Sequence, residues 1–153
     1  MLPRLDPYAV APETMAELIS FQEFLEMSDV DRALVEIIRA RVSQLNGCSQ
    51  GIARHRRVAS ALGESAERLS SLMEWRTDPI FTAREKAALD WAETVTFLSE
   101  PSVADEAFET ARHWFTEADI VKLTTIVAAT NAWNRVERSL WRRQPLPGAN
   151  QGT

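Results

Sequence analysis

One cysteine, one histidine and one glutamate stand at a spacing that could support thiol or acid–base chemistry. Cys48 is the only cysteine in the 153 residues, and it lies seven residues before His55 and twelve after Glu36. On a helix, positions 48 and 55 share one face but are about 10 Å apart along the axis. This separation is too long for a hydrogen bond between the Cys48 thiol and His55. A thiol at position 51 would lie one helical turn from His55, which could take its proton.

Gly51 occupies that position and offers no thiol. Cys48 itself stands at or just before a predicted helix, where unpaired amides favour the thiolate and lower the thiol pKa. Arginines later in the same helix add a weaker positive influence: Arg54, Arg56 and Arg57. The alternative is an inert, buried thiol that packs like a small apolar side chain. The residues alone leave both interpretations open.

Glu36 and His55 also have ordinary interpretations. Glu36 is flanked by Arg32 and Arg39 at helical pairing distance, which is typical of a solvated helical face. His55 alone would be a surface or hydrogen-bonded core histidine. No set of residues has metal-ligand spacing, no glycine-rich loop could hold phosphate, and no serine lies in a nucleophile elbow. We therefore expect no metal and no other cofactor.

The elements that must position these residues are helices. Apolar residues recur at steps of three and four, and Thr82-x-x-Glu85 has the form of a capping box. An extended arm over 1–12 is predicted from its three prolines, and a flexible tail over 142–153 from its prolines and glycines. The pattern predicts a single all-α domain over 1–141 with about seven helices: 13–26, about 28–46, 48–62, 65–75, 82 to before Pro101, 104–114 and 116–141.

Composition limits the classes of partner. The net charge of −5 argues against nucleic acid and against an anionic membrane surface, and no apolar run approaches the ~20 residues of a transmembrane span. We expect a cytoplasmic protein that binds small molecules or proteins. The last predicted helix is apolar or small on nearly every side from Ile120 to Trp133, which predicts burial all round and, in so small a domain, a homo-oligomer.

The spacing resembles a known family. Glu36, eleven residues, Cys48-x-x-Gly51, three residues and His55 is similar to the signature of the AhpD-like alkylhydroperoxidase and carboxymuconolactone decarboxylase family, which has a second cysteine where Gly51 stands. The approach Val42 to Gly47 and the run Asn131-Ala132-Trp133-Asn134-Arg135 also resemble this family.

The resemblance implies an AhpD-like helical bundle that assembles as a trimer or hexamer. It implies that Glu36 and His55 relay protons, that Cys48 is the resolving thiol, and that the peroxidatic position maps to Gly51. Gly51, Trp133 and Asn134 are then the expected substrate-binding residues. Gly51 is either natural, in a member that has changed or lost the activity, or a single-base change from a cysteine codon.

Three functions follow as hypotheses. The first is a peroxiredoxin-type antioxidant with weak, single-cysteine activity through Cys48, which needs a peroxide and an external thiol reductant. The second is a non-redox small-molecule enzyme or binding protein that uses Glu36 and His55 for decarboxylase-like acid–base chemistry. The third is a purely structural oligomer.

Overall fold

The computed structural model describes residues 4–98 and 101–140, with side chains omitted for 101–104. In this part of the chain all regular structure is helical, in eight helices. Their bounds are α1 Pro7–Val10, α2 Pro12–Glu26, α3 Arg32–Leu45, α4 Ser49–Ala61, α5 Ala66–Ser71, α6 Ala83–Thr96, α7 Pro101–Trp114 and α8 Glu117–Leu140.

Side-chain caps begin α3 and α6 close to their predicted starts. Asp31 accepts hydrogen bonds from the backbone amides of Ala33 and Leu34 and so begins α3. The Thr82–Glu85 capping box is present, with the Glu85 amide donating to Thr82 Oγ1 at 3.2 Å and the Thr82 amide donating to Glu85 Oε2 at 2.7 Å. These local contacts fix where helices begin regardless of what later packs on them.

The arm predicted over 1–12 is partly helical, which corrects the prediction for its described residues. Pro7 is the first residue of α1 and Pro12 is the first residue of α2. Proline is well placed at a first helical position, because the amide that it lacks would have no helical partner there. Residues 1–3 lie outside the described part, as does the predicted tail over 142–153.

Two other boundaries differ from the predictions. Helix α5 ends at Ser71, short of the predicted residue 75, and the chain continues in turns. Pro101, predicted to end the preceding helix, is instead the first residue of α7, three residues before the predicted start. Helix α6 ends at Thr96 with Phe97 as its cap.

The core lies between α3, α6 and α8, with α4 packed on α3 and α7 on α6. Helix α8 is not buried all round as predicted, since Val121 and Ala128 are exposed. Its opposite face packs into the core through Leu123, Ile126 and Val127. The single chain therefore buries the apolar stripe of α8 by itself. No helix within the described ranges is long and apolar enough to cross a membrane.

Candidate functional site

A tight turn joins α3 to α4 and places Cys48 at the amino end of α4. Gly47 has φ of 61°, a conformation that glycine adopts at little cost. The Cys48 amide donates to the Ser43 carbonyl at 2.9 Å and the Gly47 amide donates to the Gln44 carbonyl at 3.0 Å. These are the two hydrogen bonds of a Schellman motif. The Asn46-Gly47 sequence thus ends α3 and sets the direction of α4.

Glu36 on α3 and His55 on α4 form a buried pair. His55 Nδ1 lies 2.9 Å from Glu36 Oε2, and Arg39 Nη1 donates to Glu36 Oε1 at 2.8 Å. Burial raises the pKa of Glu36, but the hydrogen bond from His55 and the charge of Arg39 outweigh it and hold the pKa below its usual value. Glu36 is therefore a carboxylate that accepts the Nδ1 proton of His55. This leaves His55 Nε2 as the nitrogen that can exchange a proton with a ligand.

Cys48 contacts a residue that sequence reasoning missed. Its Sγ lies 3.1 Å from Glu137 Oε2 on α8, and the other oxygen of Glu137 forms an ion pair with Arg54. Glu137 lies three residues after Asn134, which lies three after Asn131, so these polar residues recur at helical spacing on a mostly apolar helix. This helical spacing is the sequence feature from which Glu137 could have been predicted as a site residue.

The thiol environment contradicts the expected activation of Cys48. Cys48 is 2% exposed, and burial, reinforced by the hydrogen bond to Glu137, raises the pKa of its thiol. A backbone hydrogen bond from Gly51 and the charge of Arg54 oppose this shift but are weaker. The expectation that the start of α4 would lower the pKa is therefore wrong, because desolvation and a neighbouring carboxylate outweigh the helix terminus.

Gly51 lies against side chains from two other helices. A Cβ atom at this position would lie 2.6 Å from Ser43 Oγ on α3 and 2.9 Å from Asn134 Oδ1 on α8. Ser43 Oγ and Asn134 Oδ1 also contact each other at 3.3 Å. A side chain at position 51 would therefore require Ser43 or Asn134 to move.

A cavity of about 340 Å³ opens beside the Glu36–His55 pair. Four of the six predicted site residues line it, namely Glu36, His55, Trp133 and Asn134, whereas Cys48 and Gly51 do not. Its other lining residues come from α2, α3, α4 and α8: Gln22, Glu26, Arg32, Arg39, Arg54, Val58 and Thr130. No cluster of His, Cys, Asp and Glu in the described part of the chain could hold a metal ion. The cavity that contains the Glu36–His55 pair is thus separate from the buried thiol of Cys48.

Relatives and structural neighbours share this architecture. The uncharacterized protein YdfG of Bacillus subtilis is 32% identical over 143 residues, which span 94% of this chain and 97% of YdfG. A protein of unknown function from Agrobacterium tumefaciens, provisionally described as an antioxidant defence protein AhpD, superposes with a TM-score of 0.88. It is 28% identical, and the match covers 95% of this chain and 99% of that one.

A second crystal structure shows the same fold at lower identity. It is the alkylhydroperoxidase AhpD core of an uncharacterized peroxidase-related protein from Ralstonia eutropha, with a TM-score of 0.78 and 21% identity over 92% of this chain and 75% of that one. The sequence pattern of the carboxymuconolactone decarboxylase family matches residues 12–94, which include Glu36, Cys48, Gly51 and His55. The chain therefore belongs to the carboxymuconolactone decarboxylase family and has the AhpD-like fold.

Proposed function

We propose that the protein catalyses non-redox proton transfer on a small organic molecule bound in the cavity beside His55. The observation that carries this proposal is the hydrogen bond of 2.9 Å between Glu36 and His55 at the wall of that cavity. A histidine oriented by a carboxylate, with its second nitrogen free for a ligand, is a common general base.

In this proposal Glu36 orients His55, and His55 transfers the proton. Glu36 accepts the Nδ1 proton of His55 and so fixes the tautomer in which Nε2 is the base. When Nε2 removes a proton from carbon next to a carbonyl group, the imidazolium that forms is stabilised by the Glu36 carboxylate. The same imidazolium then returns the proton to carbon. Exchange, isomerisation or protonation after decarboxylation are the reaction types that this cycle supports.

Hydrogen exchange at carbon tests the proposal. Small carbonyl compounds incubated with the protein in D₂O should exchange the hydrogen next to the carbonyl, as followed by proton NMR. His55→Gln should slow this exchange by roughly 10²- to 10⁴-fold because the base is lost. Cys48→Ser is the matched control and should retain the native rate. Exchange that survives in His55→Gln would contradict the proposal.

Thiol-dependent peroxide reduction is the second candidate, because Cys48 contacts a carboxylate that could move its proton. In this scheme Glu137 takes the thiol proton, and the sulfur attacks a peroxide oxygen and breaks the O–O bond. The products are sulfenic acid and an alkoxide, which takes the proton from Glu137. An external thiol then forms a mixed disulfide and releases water, and a second thiol restores Cys48.

The raised pKa of the Cys48 thiol makes this second candidate slow. We expect iodoacetamide to modify native Cys48 more slowly than free cysteine at pH 8, because little thiolate is present. Glu137→Gln should accelerate the modification, since it removes the negative charge that opposes the thiolate. Mass spectrometry of the alkylated chain gives both rates. Native labelling as fast as that of free cysteine would show instead that Cys48 is an activated thiol.

A further inference from the structure

Arg39 is a buried arginine that bonds to the described part of the chain through one of its three nitrogens. Its side chain is 2% exposed, and Nη1 donates to both Glu26 and Glu36. Nε and Nη2 have no hydrogen-bond partner among the described residues. These two nitrogens form the parallel fork with which a guanidinium binds a carboxylate through two hydrogen bonds. Buried donors without partners are rare in native proteins, so this pair requires an explanation.

A second residue with an unpartnered donor among the described residues lines the same cavity. Asn134 is 2% exposed, and its Oδ1 is engaged by Ser43 Oγ, whereas its Nδ2 has no partner within the described part of the chain. Asn134 and Arg39 both line the cavity of about 340 Å³. All three vacant groups are donors. The ligand that would satisfy them must therefore supply acceptor oxygens.

Charge and shape narrow the class of ligand. Arg32 and Arg39 of the lining face Glu26 and Glu36, and Arg54 pairs with Glu137, so the charges around the cavity balance and its vacant donors select the ligand. Both lining glutamates accept from Arg39 Nη1, so the single vacant fork of Nε and Nη2 suits one carboxylate better than two. Trp133 and Val58 offer apolar surface in the same cavity. A volume of this size is typical of small-molecule sites.

We propose that the cavity binds a small monocarboxylate with an apolar or aromatic body, its carboxylate held by the Arg39 fork and by Asn134 Nδ2. This inference deepens the proposed function, on which it rests for the role of the ligand as substrate. It adds that a carboxylate anchors the molecule on which His55 acts. Binding can be measured without turnover, so the two proposals can fail separately.

Calorimetric titration of the native protein with benzoate tests the inference, with benzamide as the uncharged ligand of the same shape. We expect saturable binding of benzoate and binding of benzamide weaker by roughly tenfold or more, because the charge-assisted fork is lost. His55→Gln should still bind benzoate, since the fork does not depend on the base.

Two variants locate the carboxylate. Arg39→Lys keeps a positive charge beside Glu26 and Glu36 but cannot form the fork, so benzoate affinity should fall by roughly tenfold. Arg57→Lys is the matched control at an exposed position of α4 and should bind as the native protein does. If Arg39→Lys fails to fold, Asn134→Asp gives the second test, because a carboxylate in place of the vacant donor should repel benzoate.

The binding of benzoate and benzamide to the native protein and the two variants tests the carboxylate site. Preference for benzoate that is lost in Arg39→Lys or Asn134→Asp supports it. Equal binding of benzoate and benzamide, binding unaffected in both variants, or no binding at millimolar ligand overturns it and assigns the vacant donors to bound water. Benzoate binding without any carbon–hydrogen exchange would leave this site standing while the proposed function fails. Exchange of neutral carbonyl compounds without benzoate binding would support the proposed function and overturn the carboxylate site.

Discussion

At the scale of single residues, Gly51 is where this chain departs from the two-cysteine signature that its sequence otherwise resembles. The absent side chain has not left a hole, because Ser43 and Asn134 approach the position closely enough to meet a Cβ atom. Asn134 thereby lies at the cavity wall with a vacant donor. The absence of a side chain at position 51 and the wall of the cavity are thus linked through Asn134.

Gly51→Ala tests this packing. In an unobstructed helix the change would stabilise the protein by about 1 kcal/mol. Here we expect the free energy of unfolding to fall by about 1–3 kcal/mol, because the new methyl group meets Ser43 Oγ and Asn134 Oδ1. Urea denaturation measures the change. Ser43→Ala removes the nearest atom, so the double variant should recover part of the loss relative to Ser43→Ala alone. A more stable Gly51→Ala would refute the close contact.

At the scale of elements, Glu93 on α6 ties together three parts of the chain. Its Oε1 accepts from Arg41 Nε on α3 at 2.7 Å and from Trp75 Nε1 at 2.8 Å, and its Oε2 accepts from Arg76 Nη2 at 2.8 Å. Burial raises the pKa of Glu93, but the hydrogen bonds from Trp75 and Arg41 outweigh it and lower the pKa overall. Helix α3, which carries Glu36, is therefore held to α6 by a carboxylate that must stay ionised.

Glu93→Gln should lower the free energy of unfolding by about 1.5–3 kcal/mol at pH 7, because hydrogen bonds to a charged group are lost. Since the folded pKa of Glu93 lies below its unfolded value of about 4.3, this stabilisation is present above that value. It disappears as the pH falls through the folded pKa. Urea denaturation should therefore show a larger difference between the native protein and Glu93→Gln at pH 7 than at pH 3.

The matched control for Glu93 is Glu109, whose ion pair with Arg112 on α7 is exposed. Glu109→Gln should change the free energy of unfolding by less than about 0.5 kcal/mol at either pH. An equal effect of the two substitutions would mean that Glu93 is no more than a surface carboxylate.

At the scale of the whole molecule, the single chain leaves large apolar side chains in contact with solvent near the end of α2. Phe24 is 65% exposed and Met27 is 76% exposed, and Phe21 lies one turn before Phe24. Because α8 buries its own apolar face, the reason to expect a homo-oligomer moves from α8 to this region. Clustered exposed apolar residues often mark a protein interface.

We therefore expect the native protein to have a mass that is a multiple of 17.2 kDa, as a trimer or hexamer, in size-exclusion chromatography with light scattering. Phe24→Glu should shift the population toward smaller species, because a charge would be buried in the interface. Ser20→Glu adds the same charge to an exposed position of α2 and should leave the mass unchanged. A native protein that elutes at 17.2 kDa would contradict this expectation.

The sequence by itself determined the all-helical class, the family and most helix boundaries. Caps such as Asp31 and the Thr82–Glu85 box depend on neighbours within three residues, so they can be recognised without tertiary contacts. The resemblance to the family signature singled out Glu36 and His55, which the fold places 2.9 Å apart. The wrong boundaries at α1 and α7 involve proline at first helical positions, where it begins a helix as readily as it ends one, whereas the early end of α5 at Ser71 does not.

Only the tertiary structure decided the state of the thiol and the shape of the site. Glu137 lies 89 residues from Cys48 along the chain, yet their contact helps to raise the pKa of the thiol. Asn134, on another helix and distant along the chain, likewise lies against Gly51. Burial and long-range contacts depend on side chains from several separate helices. For that reason the start of α4 predicted a thiolate, whereas the packing of α8 against it holds a protonated thiol.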